Sequence, residues 1–206
     1  MSSSEATVFI VDDELSVRQA LARLLRAAGL NVATFDSAQA FLERFAPRAP
    51  GCLVLDLAMP GLNGLELQEA LVARGSLLPI IFLTGQGDLS SGVKAMKHGA
   101  VDFLSKPVDA NDLIQAVCAG IEKDRIALRL DGELTEIRQR LAKLTPREYE
   151  VLCHVISGKL NKQIAVDLGT VEKTVKVHRA RVMEKVQATS LAELVRIAQR
   201  AGIQPL

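Results

Sequence analysis

The sequence has little aromatic character and few side chains that bind soft metals. It contains six Phe, one Tyr and no Trp, so it lacks the aromatic residues on which proteins stack single-stranded nucleic acid. Its three cysteines lie far apart, without the spacing of a metal site, and fit a reducing compartment. No apolar run is long enough to span a bilayer, and no basic-then-apolar leader opens the chain. We therefore expect a cytoplasmic protein that makes no membrane contact.

The net charge is nearly balanced over the whole chain but not within its two parts. Residues 1–124 contain 10 Lys/Arg and 15 Asp/Glu, a net charge of −5, whereas residues 125–206 contain 15 and 9, a net charge of +6. An acidic first part and a basic second part predict two domains with different partners.

Short apolar runs alternate with helical patterns in the first part. The runs typical of strands cover residues 7–11, 31–35, 52–56, 79–83 and 101–105. Apolar residues at helical spacing predict helices over about 17–28, 37–46, 64–73, 88–98 and 109–123. Five strands separated by helices predict an α/β domain, in which a five-stranded parallel sheet is covered by helices on both faces.

A polar stretch with an apolar stripe, residues 125–143, follows this domain and predicts a linker helix. The apolar residues recur at intervals of four and three, at Leu130, Leu134, Ile137, Leu141 and Leu144. This heptad-like spacing has two interpretations: the helix packs on its own domains, or it pairs with a second copy of the chain.

From residue 144 onward no strand pattern remains, and the sequence predicts four short helices. Thr145, Pro146 and Glu148 form a capping-box signal that opens the first of them. The others cover about 161–168, 171–186 and 190–201, and Ser190 caps the last. The chain therefore ends in an all-α domain over residues 144–206.

Polar residues follow the predicted strands where the carboxyl ends of a parallel sheet form a ligand-binding edge. The sequence places there Asp12, Asp13, Asp56, Thr84 and Lys106. Adjacent carboxylates repel unless a cation joins them, and oxygen ligands without His or Cys predict Mg²⁺. A carboxylate beside Mg²⁺, an ammonium and a hydroxyl predicts a site that accepts a phosphoryl group.

Each of these residues has a simpler explanation when it is considered alone. Asp13 is also suited to cap the first helix, and Lys106 to be a solvated turn residue. Two other functions fit part of the pattern: a Mg²⁺-dependent phosphohydrolase with an aspartyl nucleophile, and a regulator that works unphosphorylated. The hydrolase needs a second acid for the leaving group, and LAMPG, which follows Asp56, contains none.

The motifs VDD, DLAMPG, LTG and FLSKP, in this order and spacing, resemble the receiver domain of bacterial two-component response regulators over about residues 5–124. The resemblance implies a CheY/flavodoxin-like fold with Asp56 as phosphoacceptor. It implies Mg²⁺ bound by Asp12, Asp13, Asp56 and the backbone carbonyl of Ala58. It also implies that Lys106, placed by a cis bond to Pro107, contacts the phosphoryl group, and that Thr84 and Phe103 form the switch pair.

A helix over about 171–186 carries its cations on one exposed arc, which is either solvated or suited to a DNA major groove. The stretch from LTPREYEVL to SLAELVRIA resembles the LuxR/FixJ-type helix-turn-helix output domain over about 144–206. The resemblance puts Lys176, Val177 and Ala180 at base-facing positions. It puts near phosphates Lys162, Lys173, Thr174, Arg179 and Lys185. Where the family often has Ser opening this helix, the chain has Val171, and we expect Thr170 to cap it instead.

These resemblances together predict a response regulator transcription factor with a receiver domain (1–124), a linker helix (125–143) and a LuxR-type helix-turn-helix domain (144–206). A sensor histidine kinase would phosphorylate Asp56. Phosphorylation would favour a homodimer that binds paired half-sites in double-stranded promoter DNA, with RNA polymerase as a further candidate partner. The chain is not expected to be an enzyme in the usual sense.

Overall fold

The structure is a computed structural model, and it describes residues 6–45, 50–85 and 100–206. The helix predicted over residues 88–98 lies outside the described residues. The chain divides into two compact units between Leu128 and Arg129, so the predicted linker, residues 125–143, contributes to both. No helix in the described part of the chain is long and apolar enough to cross a membrane.

The first unit contains a five-stranded parallel sheet with the strand order β2-β1-β3-β4-β5. The strands are β1 (Thr7–Val11), β2 (Asn31–Phe35), β3 (Gly51–Asp56), β4 (Ile80–Thr84) and β5 (Asp102–Ser105). Among the described residues, the helices that begin in this unit are α1 (Leu15–Ala27), α2 (Ala38–Arg44), α3 (Gly64–Ala73) and α4 (Ala110–Leu141). The predicted α/β fold is therefore confirmed.

Side chains of the central strand β3 alternate between two apolar cores, one on each face of the sheet. Cys52 and Val54 belong to one core, and Leu53 and Leu55 belong to the other. Every residue of β3 is buried, as expected for a parallel strand covered on both sides. The strand order changes direction between β1 and β3, so the loops after these two strands flank a crevice at the carboxyl edge.

A buried acid holds helix α4 against the opposite end of β3. The Asp124 carboxylate accepts a hydrogen bond from the Gly51 backbone N–H at 2.8 Å, and burial raises the pKa of Asp124. One turn earlier, Gly120 faces Cys52 so closely that a Cβ there would lie 2.7 Å from the sulfur. Helix and strand therefore meet at a distance that only glycine permits at position 120.

Helix α4 is longer than either helix predicted for this region. It continues through the predicted boundary near residue 124 and contains Gly132, although glycine costs roughly 1 kcal/mol in a helix interior. Ile137 is buried in the core of the second unit, and Leu141 and Leu144 pack against that core. Leu130 is half exposed, so the stripe includes residues that pack on this core, such as Ile137, and one that does not, Leu130.

The second unit contains the four predicted helices around a separate core. They are α5 (Pro146–Ile156), α6 (Asn161–Asp167), α7 (Glu172–Val186) and α8 (Leu191–Arg200). Both predicted caps are present, because Thr145 accepts from the Glu148 N–H and Ser190 from the Glu193 N–H. Gly169 joins α6 to α7 with a φ of +60°, which glycine adopts without strain. The all-α prediction is confirmed.

The Glu148 carboxylate connects the start of α5 to the end of α7. It is 2 % exposed, accepts from the Thr145 N–H at 2.9 Å and pairs with the Lys185 ammonium at 2.6 Å. The hydrogen bond from Lys185, followed by the one from Thr145, lowers the pKa of Glu148 to about 2, against a smaller opposing effect of burial. The pKa of the Glu148 carboxyl group thus lies well below its usual value of 4.5, and the carboxylate is charged at neutral pH.

We predict that Glu148→Gln lowers the free energy of unfolding of the second unit by roughly 1–3 kcal/mol at pH 7, because the amide loses a charge-assisted hydrogen bond. A lowered carboxylate pKa stabilises the fold above the unfolded value of 4.5, and this stabilisation is lost as pH falls toward about 2. The difference between wild type and variant should therefore shrink as pH falls below about 4.5.

Urea unfolding followed by tyrosine fluorescence measures this difference, because the chain has one tyrosine and no tryptophan. That residue, Tyr149, is in α5, so the signal reports on the second unit. Glu184→Gln is the matched control, since it makes the same charge change at an exposed position of α7. A pH-independent difference, or an equal loss in the control, would contradict the assignment.

Candidate functional site

The carboxyl edge of the sheet brings together the polar residues that the sequence singles out. Asp12 follows β1, Asp56 ends β3, Thr84 ends β4 and Lys106 follows β5. Because all strands are parallel, these positions share one edge. Asp12, Asp56 and Thr84 are buried, so their polar groups belong to a site rather than to a solvated surface.

Lys106 lies between the two buried carboxylates. Its ammonium is 2.8 Å from Asp12 Oδ2 and 3.1 Å from Asp56 Oδ1, and its side chain is only 20 % exposed. The Glu14 backbone N–H donates to the other carboxylate oxygen, Asp12 Oδ1, at 2.8 Å, and the Arg18 guanidinium donates to the Asp12 backbone carbonyl. The carboxylate that faces Lys106 is thus fixed from both sides.

Burial dominates the electrostatics of this site. It raises the pKa of Asp56, with a smaller contribution from the like charge of Asp12, while Lys106 and a hydrogen bond from the Ala58 backbone N–H act in the opposite direction. Burial alone would lower the pKa of Lys106, but its hydrogen bonds and charge interactions with Asp12 and Asp56 raise it overall. Lys106 is therefore held as an ammonium ion.

The site has more negative charge than Lys106 can neutralise. One carboxylate oxygen from each of Asp12, Asp13 and Asp56 lies within 4.8 Å of the others, and Asp13 is exposed while the other two are buried. Three carboxylates against one ammonium favour a bound cation, and a set of only hard oxygen ligands suits Mg²⁺. The residues present therefore fit this ion, with Asp13 on the solvent side.

Thr84 and Phe103 lie on the same face of the sheet, on neighbouring strands. In the register of β4 and β5, Phe103 is opposite Phe82, two residues before Thr84, and alternate residues of a strand share a face. The Phe103 ring is half-buried and its centroid is 6.5 Å from that of Phe82. The Thr84 hydroxyl donates to the Gly85 carbonyl at 3.1 Å. The expected cis bond between Lys106 and Pro107 is present.

All of the residues predicted to contact DNA except Lys162 lie on α7. The packed face consists of Val175, Val182 and Val186. The exposed members of the predicted set are Lys162 on α6 and Lys173, Lys176, Val177 and Ala180 on α7. The half-buried members are Thr174, Arg179 and Lys185. The second unit thus exposes the residues predicted to face bases and buries part of those predicted to face phosphates.

Three of the predicted cations have partners within the second unit. Arg179 donates to the Asn161 side chain at 3.1 Å, and Lys185 pairs with buried Glu148. Lys176 lies 3.0 Å from the Glu172 carboxylate, four residues earlier. The sequence signals only the last contact, through its i, i+4 spacing. Glu148 and Lys185 are 37 positions apart, which leaves no such signal.

One local expectation for α7 is wrong. The residue at the N-cap position is Val171, which makes no side-chain capping bond, and Thr170 does not take its place. The N–H of Thr174, the third residue of the helix, donates instead to the Val171 backbone carbonyl at 3.0 Å. The first turn of α7 instead carries the acidic residue Glu172, which interacts favourably with the positive end of the helix dipole.

Comparisons with known proteins agree with both halves of this architecture. The family model described as response regulator receiver domain matches residues 8–118, and the model described as bacterial regulatory proteins, luxR family, matches residues 142–198. Among curated proteins, the chain is 46 % identical to transcriptional regulatory protein FixJ of Azorhizobium caulinodans over 198 residues, 96 % of this chain and 94 % of that protein. It is 44 % identical to nodulation protein W of Bradyrhizobium diazoefficiens over 202 residues, 98 % of this chain and 89 % of that protein.

Solved structures give the same result. A low-resolution structure of the response regulator StyR is 45 % identical, with a TM-score of 0.88 over 96 % of this chain and all (100 %) of that one. A crystal structure of full-length FixJ from B. japonicum is 42 % identical, with a TM-score of 0.58 over 95 % of this chain and 97 % of that one. A receiver domain with an acidic pocket, followed by a LuxR-type helix-turn-helix domain, thus makes this chain a member of the FixJ-like family of response regulator transcription factors.

Proposed function

We propose that this response regulator is switched by transfer of a phosphoryl group from a sensor histidine kinase to Asp56. The observation that carries the proposal is the convergence of two buried carboxylates on one ammonium at the sheet edge, 2.8 and 3.1 Å away. Burial raises the pKa of Asp56. Conversion of its carboxylate to an acyl phosphate adds negative charge beside Lys106 and Asp12, and so changes the ion pairs of the site.

The chemistry assigns a separate task to each residue. A carboxylate oxygen of Asp56 attacks phosphorus in line with the leaving group. The Lys106 ammonium is close enough to move from Asp56 to the incoming phosphoryl oxygens, and the Thr84 hydroxyl is a further donor at the same edge. Bound Mg²⁺, held by Asp12, Asp13, Asp56 and the Ala58 carbonyl, would neutralise charge on the phosphoryl group.

The second part of the proposal concerns the output. We assign residues 1–124 to the receiver, 125–143 to the linker helix and 144–206 to the DNA-binding domain. Helix α7 would enter the major groove of promoter DNA, while Thr84 and Phe103 would transmit phosphorylation to a receiver surface that forms a homodimer. Recognition of paired half-sites, contact with RNA polymerase and action in the cytoplasm complete the proposal.

We predict that acetyl phosphate and Mg²⁺ add the mass of one phosphoryl group to the wild-type chain and none to Asp56→Asn, because the amide is not a nucleophile. Intact-mass spectrometry measures the gain. Asp112→Asn, at an exposed position of α4, is the matched control and should be labelled like wild type. Chelation of the metal with EDTA should prevent labelling. Undiminished labelling of Asp56→Asn would refute the assignment of the phosphoacceptor.

We predict that phosphorylation shifts the chain from monomer toward dimer. The Thr84 and Phe103 side chains lie on one face of the sheet beside the phosphoacceptor edge, so a change at Asp56 can alter that face. Sedimentation with and without a phosphoryl mimic measures the shift, and Asp56→Asn should remain unresponsive. An unchanged mass up to about 100 μM, where only very weak association escapes detection, would exclude dimerisation as the switch.

We predict that Lys176→Ala and Lys162→Ala weaken DNA binding in two different ways. Loss of a base contact at Lys176 should cost roughly 1–3 kcal/mol on the operator and relax selectivity at one position. Loss of a phosphate contact at Lys162 should weaken all duplexes alike and lower the salt slope by about one unit. Lys185 is a poorer test of a phosphate contact, because its replacement also removes the partner of buried Glu148.

Binding to specific and scrambled duplexes at several salt concentrations separates these effects. Half-sites should lie about one helical turn, or a multiple of it, apart. If Lys176→Ala discriminates between the duplexes as well as wild type does, Lys176 does not read bases.

A further inference from the structure

The first turn of α7 carries a second polar residue beside the predicted base-reading lysine. The Glu172 carboxylate lies 3.0 Å from the Lys176 ammonium, and the two side chains are 46 % and 63 % exposed. Neither belongs to the packed face of the helix, which is formed by Val175, Val182 and Val186. Glu172 is not among the residues that the family resemblance assigns to DNA.

The ion pair between Glu172 and Lys176 contributes to the stability of helix α7, but only weakly. A Glu four residues before a Lys, in the first turn of a helix, is the favourable order both for the pair and for the helix dipole. Exposed pairs of this kind contribute little to stability, however, because water screens them. The pair therefore separates at little cost when another hydrogen-bonding partner approaches.

We propose that Glu172 determines sequence specificity, its carboxylate accepting a hydrogen bond from the N4 amino group of a cytosine next to the base contacted by Lys176. The inference deepens the proposed function, since it requires α7 to enter the major groove. There, cytosine offers an amino donor that a carboxylate accepts, while guanine offers acceptors that suit a lysine. The two side chains thus present an acceptor and a donor side by side.

The spacing of the two residues fits neighbouring bases. Four residues advance a helix by about 6 Å, and successive bases on one strand are about 3.4 Å apart. Flexible side chains on adjacent turns therefore reach bases one or two steps apart. In the free protein the Glu172 carboxylate and the Lys176 ammonium pair with each other. On DNA the carboxylate would bind a cytosine amino group, and the ammonium would bind a guanine acceptor.

The negative charge of Glu172 gives selectivity rather than affinity. A carboxylate near the phosphate backbone repels every duplex, and only a base with an amino group offsets this repulsion. Opposite thymine, which presents an acceptor and a methyl group in the major groove, the carboxylate has no donor. Removal of the charge should therefore tighten binding to unrelated DNA and weaken the preference for cytosine.

Selection of duplexes from a random-sequence library tests the inference with the full chain, treated with acetyl phosphate and Mg²⁺. Wild type should enrich a cytosine at one position of each half-site, and Glu172→Gln and Glu172→Ala should reduce that preference by roughly fivefold or more. All other positions should keep their preferences. Glu184→Gln is the matched control, because it removes one charge from an exposed position of the same helix and should leave every preference unchanged.

The outcomes separate this inference from the function on which it rests. If wild type selects a sequence and Glu172→Gln selects the same one with equal strength, the proposal for Glu172 is overturned while the DNA-binding function stands. An equal change in Glu184→Gln would also overturn it, because the effect would then be one of general charge. If wild type enriches no sequence, the proposed function fails, and the inference fails with it.

Discussion

The Lys106 ammonium and the two carboxylates that it contacts, Asp12 and Asp56, set the constraint on which the receiver unit depends. Buried acids at the ends of two adjacent parallel strands would repel each other without a cation between them. Because Lys106 follows β5, two strands away from β3, this compensation exists only when β1, β3, β4 and β5 are assembled. The contact of Lys106 with both acids therefore depends on strands that are far apart in the sequence.

The second unit depends on a related interaction at a different place. Glu148 caps α5, is buried, and takes its counter-charge from Lys185 in the last turn of α7. One carboxylate thus satisfies a helix N-terminus and orients the helix that carries the predicted DNA contacts. Both units use a lysine distant in sequence to neutralise a buried acid. Among the residues that the structure describes, the receiver adds a third carboxylate, which makes its site suited to a metal ion.

Much of this could be predicted from the sequence, because the signals are local. The sequence predicts β1 and β2 from their apolar runs, and α3 from its helical spacing, with the observed bounds. The parallel topology then places four polar residues at one edge of the sheet: Asp12, Asp56, Thr84 and Lys106. The sequence predicts helices on both sides of residue 124 but not their continuity in α4, because a polar stretch that contains Gly132 is typical of a linker. The partners of Asp124 and Lys185 were missed because they lie 73 and 37 residues away, and no periodicity links residues that meet only in the folded chain.

Helix α4 approaches β3 so closely at Gly120 that it helps to bury the Cys52 sulfur, and this burial affects the reactivity of the thiol. Burial, with the nearby charge of Asp124, raises the pKa of Cys52 to about 12, so this sulfur is almost never a thiolate, the form that oxidants and alkylating reagents attack. Cys153 is also buried, whereas Cys118, on α4, is exposed. The native chain therefore presents a single accessible thiol, and a fluorophore or spin label attached to it would report on α4 without any substitution in the sequence.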